Sequence, residues 1–124
     1  MTQPLALVLY EKLLPGSQLV NRLQDLNYRV QTLADPVLLV QTAEQAKPML
    51  VLADLEPAAR NVSAAILRLK ENVSTKHLPV IAICAEEAKD LQDAARNAGA
   101  NLVVSDVAIL GHLEQFLEQA LHLE

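Results

Sequence analysis

The chain has 124 residues, of which 52% are hydrophobic and 20% are charged, and its formal net charge is −5. This length and apolar content predict one globular domain over residues 1–124 and exclude an intrinsically disordered chain. With two tyrosines, one phenylalanine and an acidic balance, the chain lacks the basic surface and the aromatic platform that nucleic-acid binding needs.

Membrane insertion and secretion are also disfavoured by the sequence. The longest apolar runs, such as Val80–Ala85, are far too short to cross a bilayer. No amino-terminal segment has the pattern of a signal peptide. Cys84 is the one cysteine, so an internal disulfide is excluded. We therefore expect a cytoplasmic protein.

The first part of the chain alternates predicted strands and helices. Leu5–Tyr10 is a short apolar run typical of a buried strand. Pro15–Ser17 is expected to break the chain, with its serine capping a first helix. Tyr28–Leu33 alternates polar and apolar residues, which predicts a less covered strand at the sheet edge. Asp35-Pro36 combines an N-cap with the proline favoured in a first turn, and predicts a helix that runs to about Ala46.

The most informative segment is Lys47–Asp54. It is nearly continuously apolar and ends in a carboxylate. Such a run predicts a parallel strand covered on both faces. Open α/β sheets bind ligands beyond the carboxyl ends of their strands, so Asp54 is a candidate site residue. Pro57 is expected to open the third helix, whose buried side carries Val62, Ile66 and Leu69.

The last part of the chain continues the alternation. Leu78–Cys84 is a fourth apolar strand, and Glu86–Ala98 predicts a helix that Gly99 terminates. Asn101–Ser105 is a short fifth strand. One last helix is marked by Leu110, Leu113, Leu117 and Leu121.

This order of elements predicts an α/β fold. Strands that alternate with helices form a parallel sheet with right-handed crossovers and helices on both faces. We therefore expect a three-layer αβα sandwich around a five-stranded parallel sheet.

In order, these segments resemble the receiver domain of bacterial response regulators over nearly the whole chain. Lys47–Asp54 is similar to the third strand of that family and its phospho-acceptor aspartate. His77–Ala85 is similar to the fourth strand, and Ala98–Asn101 to the turn before the fifth. The resemblance implies the flavodoxin-like strand order 2-1-3-4-5. It also implies a regulatory module of two-component signalling rather than an enzyme.

The active positions depart from the family pattern. Receivers hold magnesium with adjacent acidic residues after the first strand, where this chain has Tyr10 and Glu11. Cys84 stands at the position of the switch hydroxyl, and Asp106 replaces the lysine that follows the fifth strand. Because phosphoryl transfer depends on positioning and charge neutralisation, the resemblance implies a pseudo-receiver that is not phosphorylated at Asp54, with no catalytic residues and no bound metal.

A narrower resemblance is to the pseudo-receiver of the cyanobacterial circadian input kinase. It implies that the chain is a domain of a sensor histidine kinase and docks to the fold-switched form of the clock protein KaiB. It also implies an oxidised quinone as a possible ligand, without any other cofactor. The docking strand is the predicted edge strand, whose residues are Tyr28, Arg29, Val30, Gln31, Thr32 and Leu33. We expect a proline at Gln31 to block the approach of a partner strand there.

Several alternatives remain open on sequence grounds. Asp54 is a residual phospho-acceptor if Glu11 still supplies a metal ligand. A quinone sensor is a second alternative, in which an apolar ligand fills the pocket left by the missing metal. Cys84 is a redox sensor if its pKa is lowered, although a small buried core residue is the simpler interpretation. Self-association through the fifth strand and last helix is a further possibility.

Overall fold

The computed structural model describes residues 4–10, 13–55 and 61–122. The five strands are β1 (Leu5–Leu9), β2 (Arg29–Leu33), β3 (Leu50–Asp54), β4 (Val80–Cys84) and β5 (Leu102–Ser105). The α-helices are α1 (Leu13–Asp25), α2 (Leu39–Ala46), α3 (Val62–Glu71), α4 (Lys89–Ala98), α5 (Asp106–Gly111) and α6 (Leu113–His122). A short 3₁₀ helix over Pro36–Leu38 precedes α2.

The strands form one sheet in the order β2-β1-β3-β4-β5, and every neighbouring pair is parallel. This confirms the predicted α/β sandwich and its strand order. In a parallel sheet all strand carboxyl ends lie along one edge. The structure therefore places the ends of β1, β3, β4 and β5 side by side.

Two apolar layers cover the sheet, one on each face. On one face, Val51 and Ala53 of β3 pack with residues of α2, α3 and α4. On the other face, Leu50 and Leu52 pack with residues of α1, α5 and α6. This alternation of neighbouring side chains follows from strand geometry, and it explains why β3 and β4 are apolar throughout. All five residues of each of these two strands are buried.

Two predicted helix starts are wrong. The first helix begins at Leu13 instead of after a cap at Ser17. Pro15 is tolerated because it falls in the first turn, where a missing N–H leaves no helix bond unmade. The fourth helix begins at Lys89 instead of at Glu86. Glu86 lies in a turn, and its carbonyl oxygen accepts a hydrogen bond from Gln92 Nε2 at 2.9 Å.

Other boundaries are as expected or lie outside the described residues. Asp35 caps the 3₁₀ turn by accepting a hydrogen bond from the N–H of Val37 at 3.0 Å, and α2 ends at Ala46 as predicted. The predicted opening of the third helix at Pro57 lies outside the described residues. The described helix α3 begins at Val62, directly after Asn61, whose φ of 51° is left-handed.

The single last helix that the leucine spacing predicts is divided in two. Ser105 Oγ caps α5 by accepting a hydrogen bond from the N–H of Ala108 at 3.0 Å. The helix ends at Gly111 because His112 leaves the helical region, with φ −130° and ψ 25°. Leu113 and Leu117 of α6 are nevertheless buried as expected. No helix in the described part of the chain is long and apolar enough to cross a membrane.

Candidate functional site

The carboxyl edge of the sheet carries Asp54, as the sequence predicts. Asp54 is the last residue of β3 and lies opposite Ile83 of β4. Its side chain is 8% exposed, so it is one of the few buried polar residues among those described. It follows Leu52 by two positions, and alternation therefore directs it towards the layer that contains α1 and α5.

Cys84 ends the neighbouring strand but is directed to the other face. It is 1% exposed and belongs to the apolar layer beneath α2, α3 and α4. A buried thiol is a weak hydrogen-bonding group, so it is poorly suited to contact an incoming phosphoryl oxygen. The simpler interpretation of Cys84 as a small core residue agrees with this burial.

Asp106 opens helix α5 immediately after β5, where its carboxylate is half-buried. Negative charge in a first helical turn is favourable because it lies near the positive end of the helix dipole. A carboxylate at this position would repel a phosphoryl dianion, whereas a lysine would attract it.

Tyr10 follows β1, and its N–H donates a hydrogen bond to the carbonyl oxygen of Leu33 at 2.9 Å. Its ring packs on the apolar layer of α1, α5 and α6. Glu11, the other candidate after the first strand, lies outside the described residues.

The described residues fit a magnesium ion poorly. They contain no group of three histidine, cysteine, aspartate or glutamate side chains placed to hold a metal. Magnesium in proteins requires near-octahedral oxygen ligation, commonly with one or two carboxylates. Of the three described residues at the other active positions, Tyr10 and Cys84 supply no carboxylate and Asp106 supplies a negative charge.

A cavity that the sequence did not predict lies at the opposite, amino-terminal edge of the sheet. Its volume is about 370 Å³, and it is lined by Ala43, Glu44, Lys47, Pro48, Ser74, His77 and Leu78. These residues come from the end of α2 and from the loops before β3 and β4. These residues form no sequence motif, so the cavity could not be predicted from the sequence.

The predicted edge strand β2 is the most exposed of the five strands. Arg29, Gln31 and Thr32 are exposed, and Val30 and Leu33 are half-buried. Val30 packs towards α1 and Leu33 towards α2, which confirms that neighbouring side chains lie on opposite faces. The opposite edge strand, β5, is half-buried at all four of its residues.

Two hydrogen bonds fix the direction in which the backbone groups of β2 point. The N–H of Arg29 donates to the carbonyl oxygen of Pro4, and the carbonyl oxygen of Leu33 accepts from the N–H of Tyr10. The groups of residues 29, 31 and 33 therefore point towards β1, since backbone groups alternate sides along a strand. The N–H and C=O groups of Val30 and Thr32 point away from the sheet.

This geometry corrects the expected role of a proline at Gln31. The N–H of Gln31 lies on the inner side, opposite Leu7 of β1, so its loss would damage the ladder between β1 and β2. Thr32 is the position where a proline removes an outward N–H.

The comparisons with known proteins show the fold. No protein-family profile matches the chain, and no curated protein matches it. Among solved structures, a protein described as a response regulator of Chloroflexus aurantiacus has a TM-score of 0.88 at 18% identity, over 97% of this chain and 98% of its own.

Two further structures are similar over comparable lengths. The receiver domain of the sensor histidine kinase PA1611 of Pseudomonas aeruginosa, solved with magnesium in its active-site cleft, has a TM-score of 0.85 at 20% identity, over 97% of this chain and 98% of its own. The response regulator domain of Thermotoga maritima CheB has a TM-score of 0.80 at 18% identity, over 99% of both chains. The chain therefore has the fold of response-regulator receiver domains.

Proposed function

We propose that this chain is a regulatory protein-interaction module, not an enzyme, that binds its partner by strand addition at the edge of β2. One observation supports this most directly. Val30 and Thr32 lie on an exposed edge, and each directs its N–H and its C=O group away from the sheet. Such groups can pair with an extended segment of another protein and continue the sheet.

The affinity and the selectivity of this contact have different sources. Main-chain hydrogen bonds at Val30 and Thr32 supply affinity with little dependence on sequence. Selectivity comes from the side chains next to the added strand. Tyr28, Val30 and Thr32 border it on the α1 face, and Arg29, Gln31 and Leu33 border it on the α2 face.

We also propose that Asp54 is not a phospho-acceptor. This is supported by the buried thiol of Cys84 and by the carboxylate of Asp106 at the start of α5. The carboxylate of Asp106 adds negative charge where a transferred phosphoryl group needs neutralisation.

The partner we propose, on the resemblance given above, is the fold-switched form of KaiB, and the biological role is in circadian signalling in the cytoplasm. The exposed β2 edge offers the strand-pairing surface that such docking requires. The identity of the partner rests on the resemblance alone.

Binding is tested with Thr32→Pro and the matched control Thr32→Ala. The proline variant loses the outward N–H and places its ring where the partner strand lies, so binding to KaiB held in its fold-switched form is expected to fall at least tenfold. The alanine variant keeps the N–H and loses only the Thr32 side chain beside the added strand, so its binding is expected to fall by less than about fivefold, since truncating one interface side chain usually costs less than about 1 kcal/mol.

Hydrogen exchange in the complex locates the contact. The amides of Val30 and Thr32 are expected to become protected on binding. A complex in which both amides still exchange freely contradicts strand addition, and the absence of any complex contradicts the choice of KaiB.

Phosphorylation is tested by incubation with acetyl phosphate and magnesium, followed by intact-mass measurement. The expected result is an unmodified chain. An adduct of one phosphoryl group that is lost in Asp54→Asn would overturn the pseudo-receiver proposal.

A further inference from the structure

The β2 edge has few of the features that prevent two sheets from joining. Natural edge strands are commonly protected by lysine, proline or inward-pointing charges. Strand β2 contains none of these residue types and no acidic residue; its one charged residue is Arg29, at its first position. No charged residue therefore occupies position 30 or 32, the two positions whose N–H and C=O groups point outward.

The arrangement of these groups is self-complementary. A two-fold axis perpendicular to the sheet brings a second copy of β2 alongside the first in the antiparallel direction. With the axis at Gln31, Val30 of each copy lies opposite Thr32 of the other. Both residues direct their N–H and C=O groups outward, so the pairing makes about four hydrogen bonds.

The side chains are compatible with this register. Val30 and Thr32 form cross-strand pairs of β-branched residues, which suit a pleated surface. Gln31 lies opposite Gln31 of the second copy, and the two amides can hydrogen-bond to each other. Arg29 lies opposite Leu33 of the second copy, so the two arginines are separated by about 14 Å along the strands and do not repel at contact.

The two neighbouring registers are less favourable. An axis at Val30 pairs Tyr28 with Thr32, and an axis at Thr32 pairs Val30 with Ala34. Tyr28 and Ala34 lie outside the strand as the structure defines it. Only the axis at Gln31 pairs all five residues of β2.

We propose that a second copy of this chain pairs with the β2 edge in this antiparallel register and joins the two sheets into one. A contact of one short strand per copy is smaller than a stable protein interface, which buries about 1,200–2,000 Å². The net charge of −5 on each copy also opposes association. The dimer is therefore weak, with a dissociation constant on the order of 0.1–1 mM.

The proposal has a regulatory consequence that rests on the strand-addition function proposed above. The dimer occupies the same N–H and C=O groups that a partner strand needs. Self-association and partner binding are therefore mutually exclusive, and partner binding weakens as the local concentration of this chain rises.

Disulfide trapping tests the register with two matched variants. Gln31→Cys places two thiols at a non-hydrogen-bonded antiparallel pair, where the Cα atoms are about 4.5 Å apart and a disulfide can form. Arg29→Cys is the control: it is on the same face and is also exposed, but its two copies lie about 14 Å apart. The native Cys84 is buried and does not interfere.

The expected result is that mild oxidation at about 0.5 mM protein cross-links Gln31→Cys at least tenfold faster than Arg29→Cys, and that wild type sediments as a monomer–dimer mixture at this concentration. Equal cross-linking of the two variants would overturn the register. A wild type that remains monomeric at about 1 mM would overturn the dimer, while the binding of another partner at β2 would be unaffected by that result.

Discussion

At the scale of single residues, Gly99 has a far more restrictive environment than Gly111. It ends α4 with a φ of +108°, and a Cβ atom added there would lie 3.0 Å from Cγ of Lys70. Both the backbone conformation and the contact oppose a side chain. We expect Gly99→Ala to lower the free energy of unfolding by about 1–3 kcal/mol in urea denaturation.

Gly111→Ala is the matched control for Gly99→Ala. Gly111 lies in α5, and a Cβ atom added there meets nothing within 4 Å. Because alanine has the higher helix propensity, this variant is expected to be unchanged or more stable by up to about 1 kcal/mol. A similar loss in both variants would show that the position of Lys70 does not matter.

The stem of Lys70 is held in place against Gly99 by polar contacts. Lys70 Nζ donates hydrogen bonds to the carbonyl oxygen of Leu78 at 2.7 Å and to Oδ1 of Asn101 at 2.8 Å. The same Oδ1 accepts a hydrogen bond from the N–H of Val80 at 2.9 Å. These bonds join α3 to the beginnings of β4 and β5, so the side chain cannot easily move away from an added Cβ atom.

Because of Tyr28, the free energy of unfolding is expected to fall at alkaline pH. Burial raises the pKa of its hydroxyl above the ordinary value of 10.0, so the folded chain holds this proton more tightly than the unfolded chain. The resulting contribution is fully present below pH 10 and is lost as the pH rises through the folded pKa. We expect the stability of wild type to fall more steeply than that of Tyr28→Phe in urea titrations between pH 9 and pH 11.

The comparison must be made between the two proteins at each pH, because lysine side chains also titrate in this range in both. Parallel stability curves for wild type and Tyr28→Phe would contradict the assigned role of Tyr28.

At the scale of elements, Ser105 connects the end of β5 to the start of α5. Its Oγ accepts a hydrogen bond from the N–H of Ala108, which otherwise has no partner within the first helical turn. Ser105→Ala is expected to cost about 1 kcal/mol of stability, whereas Ser105→Thr keeps the cap and should cost less than half of that. Thermal or urea denaturation of the two variants provides the measurement.

Element types could be predicted from sequence more reliably than helix starts. The apolar runs that end at Asp54 and Cys84 identified two central strands, since parallel strands covered on both faces leave little room for polar residues. The turn at Glu86 was missed because its acidic pair also suits a first helical turn. In the structure Ala88, with φ −81° and ψ 67°, is still outside the helical region, and the side chain of Gln92 donates a hydrogen bond to the carbonyl oxygen of Glu86.

The division between α5 and α6 was missed for a similar reason. The leucine spacing from Leu110 to Leu121 is helical, and it remains so across the bend at His112 because both helices pack on the same apolar layer. Hydrophobic spacing predicts which face of a helix is buried, but it does not show where a single residue leaves the helical conformation.

At the scale of the whole molecule, the strand order followed from the resemblance, whereas the direction of the backbone N–H and C=O groups of β2 is seen only in the structure. Alternation predicts that Val30 and Gln31 lie on different faces. It does not say which of them directs its N–H towards β1. That choice depends on the register with Pro4 and Tyr10, and it decides whether Gln31 or Thr32 is the informative site for a proline.

The two apolar layers are separated by the sheet, and this leads to a prediction about cooperativity. Ile66 lies in the layer of α2, α3 and α4, whereas Ile81 lies in the layer of α1, α5 and α6, and both are fully buried. Each isoleucine-to-valine change removes one methylene group and is expected to cost about 0.5–1.5 kcal/mol. Because the two side chains share no packing partners, the double variant should lose the sum of the two costs to within about 0.5 kcal/mol.

Both layers nevertheless depend on one hydrogen-bonded sheet, so loss of either layer removes the support of the other. We therefore expect a single transition in every variant, with far-ultraviolet circular dichroism and tyrosine fluorescence giving the same midpoint in urea. Two separate midpoints in Ile66→Val or Ile81→Val would show that the layers unfold independently. Strong non-additivity in the double variant would show instead that strain passes through the sheet from one layer to the other.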